Sequence, residues 1–82
     1  MGEVMKGNIV PLNCVEIGKS VEVEKLNSVG DIRRRMLDLG IVNNTRIKPV
    51  LKSPSGDPTA YEIRGAIIAL RKEDSNLIMV RV

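Results

Sequence analysis

Cys14 is the only cysteine in a chain that contains no histidine, and together these facts remove most enzyme chemistry. A thiol becomes a catalytic nucleophile when a neighbouring base or cation stabilises its thiolate, and the usual partner is imidazole. Hydrolytic triads and imidazole acid–base catalysis fall with the same absence. A lone cysteine also makes no intrachain disulfide and no Cys-x-x-Cys metal knuckle. Two readings of Cys14 are left: a small buried hydrophobe, the commoner fate of a free cysteine, or a reactive thiol.

Carboxylates offer a different chemistry, because oxygen ligands alone can hold a divalent cation. Glu22 and Glu24 share one face of an alternating segment, while Asp57, Glu62, Glu73 and Asp74 follow no common spacing. Alternating acids are the expected wet side of a strand. The seven glycines form neither a Gly-x-Gly-x-x-Gly nor a Gly-x-x-x-x-Gly-Lys array, so nucleotide binding has no support. No set of groups here assembles into a catalytic constellation, and the chain reads as a binding module, not an enzyme.

The strongest charge feature is the run Arg33-Arg34-Arg35. On a helix three successive residues span about 200°, so they do not share one patch. Arg33 and Arg35 are expected to flank an apolar stripe and cover its edges with their stems. Leu37 lies off that stripe, beside Arg33. A docking surface around Arg33, Arg34 and Leu37 is therefore expected, with the turn Gly56-Asp57-Pro58 as a second candidate surface.

These groups need elements to position them. Residues 20–26 alternate Val21 and Val23 with Glu22 and Glu24, the pattern of a half-buried strand. Residues 11–17 predict a short strap or a single helical turn before it. Ser28 and Asp31 form a Ser-x-x-Asp capping pattern and Gly40 stands where a left-handed C-terminal cap is wanted, which predicts a helix over 28–39. Its core stripe is expected to be Val29, Ile32, Met36 and Leu39. Arg34 and Asp38 have the spacing of an ion pair.

Asn43-Asn44 reads as a turn, and residues 45–51 as a strand in which Pro49 argues for an edge position. The punctuation over 53–58 closes a long hairpin. Tyr61 and Ile63 alternate with Glu62 and Arg64, and Gly65-Ala66 reverses the chain into the apolar run 67–70. Residues 72–76 read as a polar turn, and 77–82 as the last strand. The result is a mainly β fold of about five strands with one short α-helix, a small partly open barrel. Its 82 residues form one domain, with 1–10 as a mobile N-terminal segment.

Composition narrows the partners. Hydrophobic residues make up 43% of the chain and charged ones 28%, which is ordinary for a globular domain. A net charge of +3 would permit contact with phosphates, and a small basic RNA-binding barrel is the alternative reading. Tyr61 is nevertheless the only aromatic residue, a poor platform for stacked bases, so no nucleic acid is expected as a partner. No segment reads as a secretory signal or a membrane span, and the expected location is cytoplasmic.

Taken in order, Arg33-Arg34-Arg35-Met36-Leu37-Asp38-Leu39-Gly40-Ile41, Gly56-Asp57-Pro58, Gly65, Ala69-Leu70-Arg71 and Ile78-Met79-Val80 make a series that resembles the FeoA family, ferrous iron transport protein A. The resemblance runs from about Pro11 to Val82. Asn43-Asn44 stands where relatives often carry Pro-Gly, and both pairs suit a turn. The resemblance implies an SH3-like barrel and a non-catalytic cytoplasmic accessory role in ferrous iron uptake, beside the cytosolic domain of the membrane GTPase transporter FeoB. It also implies an association with transition metals, although no cofactor is evident from the residues and weak or absent ferrous iron binding is expected. A related barrel closes the iron-dependent repressors, but this chain lacks a helix-turn-helix to accompany it.

Overall fold

The computed structural model describes residues 8–82. Six strands form one antiparallel sheet in the order β1-β6-β2-β3-β4-β5: β1 is Ile9–Pro11, β2 Val21–Leu26, β3 Arg46–Lys52, β4 Thr59–Ile63, β5 Ala66–Leu70 and β6 Ile78–Arg81. A 3-10 turn, Leu12–Cys14, follows β1. Helix α1, Gly30–Asp38, connects β2 to β3, and the single turn α2, Lys72–Ser75, connects β5 to β6. Of the expected mobile segment 1–10, residues 1–7 lie outside the described residues, while Ile9 and Val10 pair with Arg81 and Val80. No helix among the described residues is long and apolar enough to cross a membrane.

The two-residue period sets the core. Val21 and Val23 of β2, Ile47 and Pro49 of β3, Tyr61 and Ile63 of β4, and Ile78 and Val80 of β6 all turn inward and are buried. Leu12, Met36, Ile41 and Leu70 join this cluster and plug it. With no phenylalanine or tryptophan to fill volume, the sheet is packed by branched aliphatic side chains that fit a pleated surface.

Several expectations change here. The helix is shorter than 28–39 because Gly30 enters it with a left-handed φ of +63°, so extended Val29 precedes the helix and no side chain caps it. Ser28 is buried instead, its hydroxyl donating to the Met36 sulfur at 3.3 Å. Of the predicted stripe only Met36 is fully buried and Leu39 packs partly against the core, while Val29 is 79% exposed and Ile32 40%. Arg34 and Asp38 form no ion pair. Arg35 instead pairs across the fold with Asp74.

The left-handed cap at Gly40 forms as expected. Gly40 has φ +87°, its N–H donates to Leu37 O, and Ile41 N–H reaches back to Met36 O, closing the helix end. Pro49 is not on an outer strand, since β3 lies between β2 and β4. Only Arg46 and Ile47 pair with β2, however, so the strand has lost that neighbour before the proline, whose missing N–H is not needed. Residues 72–76 are largely helical rather than a turn, with Asp74 and Ser75 buried. The β4–β5 reversal falls on Arg64-Gly65, one residue earlier than expected.

Candidate functional site

The α1 surface comes first because sequence singled it out. Arg33 folds back toward the end of β2, its guanidinium donating to Leu26 O at 3.4 Å, and Arg35 reaches Asp74 of α2 at 3.5 Å. Arg34 makes no hydrogen bond or ion pair among the described residues, which leaves its donors to solvent. Leu37 is 42% exposed, one turn along from both Arg33 and Arg34. Exposed Val29 lies at the other end of the same flank. The outward face of α1 thus alternates apolar and guanidinium groups, with most donors unspent.

Gly56, Asp57 and Pro58 are exposed in the β3–β4 turn. Asp57 accepts the Lys72 N–H at 2.8 Å, so a carboxylate sits at the start of α2, where the helix dipole favours it. No hydrogen bond or ion pair among the described residues joins Arg33, Arg34 or Leu37 to Gly56, Asp57 or Pro58. The two surfaces meet indirectly on α2, touched by Arg35 from one side and Asp57 from the other. That element, hidden in a polar stretch too short to show helical periodicity, is what sequence reading missed.

The densest polar cluster lies elsewhere. Arg81 donates to Glu24 Oε1 at 2.7 Å, Glu22 Oε1 at 2.8 Å and Asn44 Oδ1 at 2.7 Å. Register explains the convergence. Glu22 faces Arg81 directly, and the bulge between Val23 and Lys25 lets Glu24 reach the same guanidinium. Hydrogen bonding to Arg81 is the main cause of a Glu22 carboxyl held below its ordinary range, and Glu24 and Glu22 together raise the Arg81 value.

A Glu22 value depressed in the folded state contributes stability that is present above the unfolded value and is lost as pH falls through the folded one. Glu22→Gln is therefore expected to unfold at modestly lower urea than wild type near neutral pH, with the gap closing below the ordinary glutamate range. Urea midpoints across a pH series read this directly. A gap of constant size at every pH would show that the carboxylate's charge is not what Arg81 uses.

This clamp also bears on metal binding. Glu22 and Glu24 are committed to a guanidinium, and no group of three or more His, Cys, Asp or Glu residues capable of holding an ion occurs among the described residues. The donors among the described residues do not make a shell that fits a resident transition metal. Cys14 is exposed, which overturns its reading as a buried hydrophobe. Tyr61 is buried, and burial raises its phenol above the ordinary value while the Ser75 and Thr59 hydroxyls oppose the shift. The only aromatic ring in the chain is thus withheld from any ligand on the surface.

The FeoA domain model matches residues 10–82. A FeoA-like protein from Clostridium acetobutylicum is 39% identical, with a TM-score of 0.83 over 96% of this chain and 90% of that one. FeoA of Stenotrophomonas maltophilia, crystallised with zinc and described as a prokaryotic SH3-domain protein and candidate ferrous iron transport activating factor, is 26% identical, with a TM-score of 0.76 over 84% of this chain and 86% of that one. The IdeR of T. acidophilum shares the fold alone, at 18% identity and a TM-score of 0.81, over 99% of this chain and 37% of that one. No curated protein matches the sequence.

Proposed function

The chain belongs to the FeoA family, whose members have an SH3-like fold and an accessory role in iron transport, and from that premise we propose that it acts without catalysis in the cytoplasm by binding the cytosolic domain of FeoB. The observation that carries the reading is the outward flank of α1. Leu37 stands 42% exposed beside Arg33 and the unpartnered Arg34, a mixture of apolar area and planar multiple donors that suits a regulated protein interface. The exposed Gly56-Asp57-Pro58 turn is the second surface, linked to the first through α2. Burial of Tyr61 favours a protein partner over RNA, because no aromatic platform faces out among the described residues. Iron enters this reading as the cargo of the transporter, not as a resident of this chain.

Titration of the FeoB cytosolic domain against wild type and an Arg34→Glu, Leu37→Ser double variant tests the interface. Both side chains point away from the core, so the variant is expected to keep the wild-type amide spectrum and to lose affinity by about tenfold or more. Undiminished binding by the folded variant would move the interface off α1.

A further inference from the structure

The outer face of β3 and β4 holds an open groove of about 430 Å³ that shares no residue with the α1 surface. Its chemistry follows from register. Ile47 pairs with Ile63 and points into the core, so alternation turns Arg46 and Lys48 to the opposite face. Lys48 stands across from Glu62, and Glu62 across from Ile67 on β5. Arg64, in the β4–β5 turn, lines the same groove.

The charges there do not cancel. Arg46, Lys48 and Arg64 contribute three cations against the single carboxylate of Glu62. Lys48 and Glu62 are 4.0 Å apart, at the limit of an ion pair. Arg46 reaches Glu22 only at 3.5 Å, and that carboxylate is already held by Arg81 at 2.8 Å. Arg64 donates its Nε–H to the Gly40 carbonyl at 2.9 Å, which positions the guanidinium without neutralising it. Just outside the groove, across from Glu62, Ile67 is 62% exposed on a strand that among the described residues pairs with β4 alone.

We propose that this groove binds an acidic segment of a partner protein, its carboxylates on Arg46, Lys48 and Arg64 and its apolar side chains on Ile67. Arginine's planar fork matches a carboxylate, and the fixed Arg64 is partly preorganised for it. An apolar neighbour and a competing Glu62 suit a peptide of mixed character better than a phosphate backbone. The buried Tyr61 leaves bases nothing aromatic to stack on here.

Fluorescence anisotropy with a dye-labelled glutamate-rich peptide carrying interspersed leucines tests the proposal, beside the same peptide with lysine for glutamate and a single-stranded oligonucleotide. The glutamate peptide is expected to bind and to weaken with added salt, and Arg46→Glu with Lys48→Glu to reduce its affinity about tenfold or more, while Lys25→Gln, exposed on β2 outside both surfaces, leaves it unchanged. Amide shifts of the wild-type protein on titration provide a readout that needs no variant, expected at residues 46–48 and 62–67. Shifts confined to α1, equal binding of the lysine peptide, or tighter binding of the oligonucleotide through the same residues would overturn it.

Discussion

Ile47→Ala is expected to leave the protein barely folded. The side chain is fully buried on β3, facing Val21 of β2 on one side and Ile63 of β4 on the other. Removing so much of a buried aliphatic chain costs about 2 to 5 kcal/mol, because the surrounding sheet cannot collapse into the space. At roughly 0.05 to 0.15 kcal/mol per residue, a chain of this size has about 4 to 12 kcal/mol in total. The variant should unfold at a much lower urea concentration with a similar slope. Val29→Ala is the contrast: that side chain is 79% exposed, and its loss should change stability by no more than about 0.5 kcal/mol. Equal midpoints for Ile47→Ala and wild type would sink the assignment of β3 to the core, and a large loss for Val29→Ala would restore the helical stripe read from sequence.

The second large effect is expected at Gly40→Ala, where two costs coincide. At φ +87° an L-residue sits in the left-handed region, which costs about 1 to 2 kcal/mol. A Cβ there would also stand 2.7 Å from Arg64 Cδ and 2.9 Å from Arg64 Nε, so the arginine must shift, which disturbs its hydrogen bond to the Gly40 carbonyl. Gly18→Ala separates the two, having a similar φ of +93° but nothing within 4 Å of the added carbon. The expected order of stability is wild type, then Gly18→Ala, then Gly40→Ala. Adding Arg64→Ala to Gly40→Ala should restore part of the difference, since the obstacle is removed. If the two glycine variants lose the same amount, the Arg64 contact carries no energy.

Strands were legible in this sequence wherever one face is wet. Val21 and Val23 against Glu22 and Glu24, or Tyr61 and Ile63 against Glu62 and Arg64, alternate because one side meets the core and the other meets water. The C-terminal end of α1 was legible for a local reason, since a glycine past an apolar run has one favoured use. The start of α1 was not. Ser28 and Asp31 carry a capping pattern, yet Gly30 takes a left-handed turn between them and redirects the Ser28 hydroxyl to the Met36 sulfur. Helical period placed Val29 and Ile32 on one stripe with Met36, but nothing in a period says how much of the stripe the sheet covers. The short α2 has a single turn, too little for any period to register. The carboxylate clamp on Arg81 depends on a bulge and on residues far apart in sequence, and the groove depends on the pairing of β3 with β4. Such long-range register is a property of the assembled sheet.

The place of β6 in the sheet bears on how the chain folds as it is made. The last of the described strands lies between β1 and β2, and Val82 N–H donates to Asn8 O at 3.1 Å, so the sheet closes by inserting late sequence between two early strands. Until β6 has left the ribosome, β1 has no partner among the described strands, β2 lacks one neighbour, and the core lacks Ile78 and Val80. A nascent chain can form the β3–β4–β5 meander from nearby residues, while pairing of the two ends must await loop closure over most of the chain, the slow kind of contact. Folding is thereby tied to the emergence of β6, and a chain that stalls before Ile78 stays open to proteolysis.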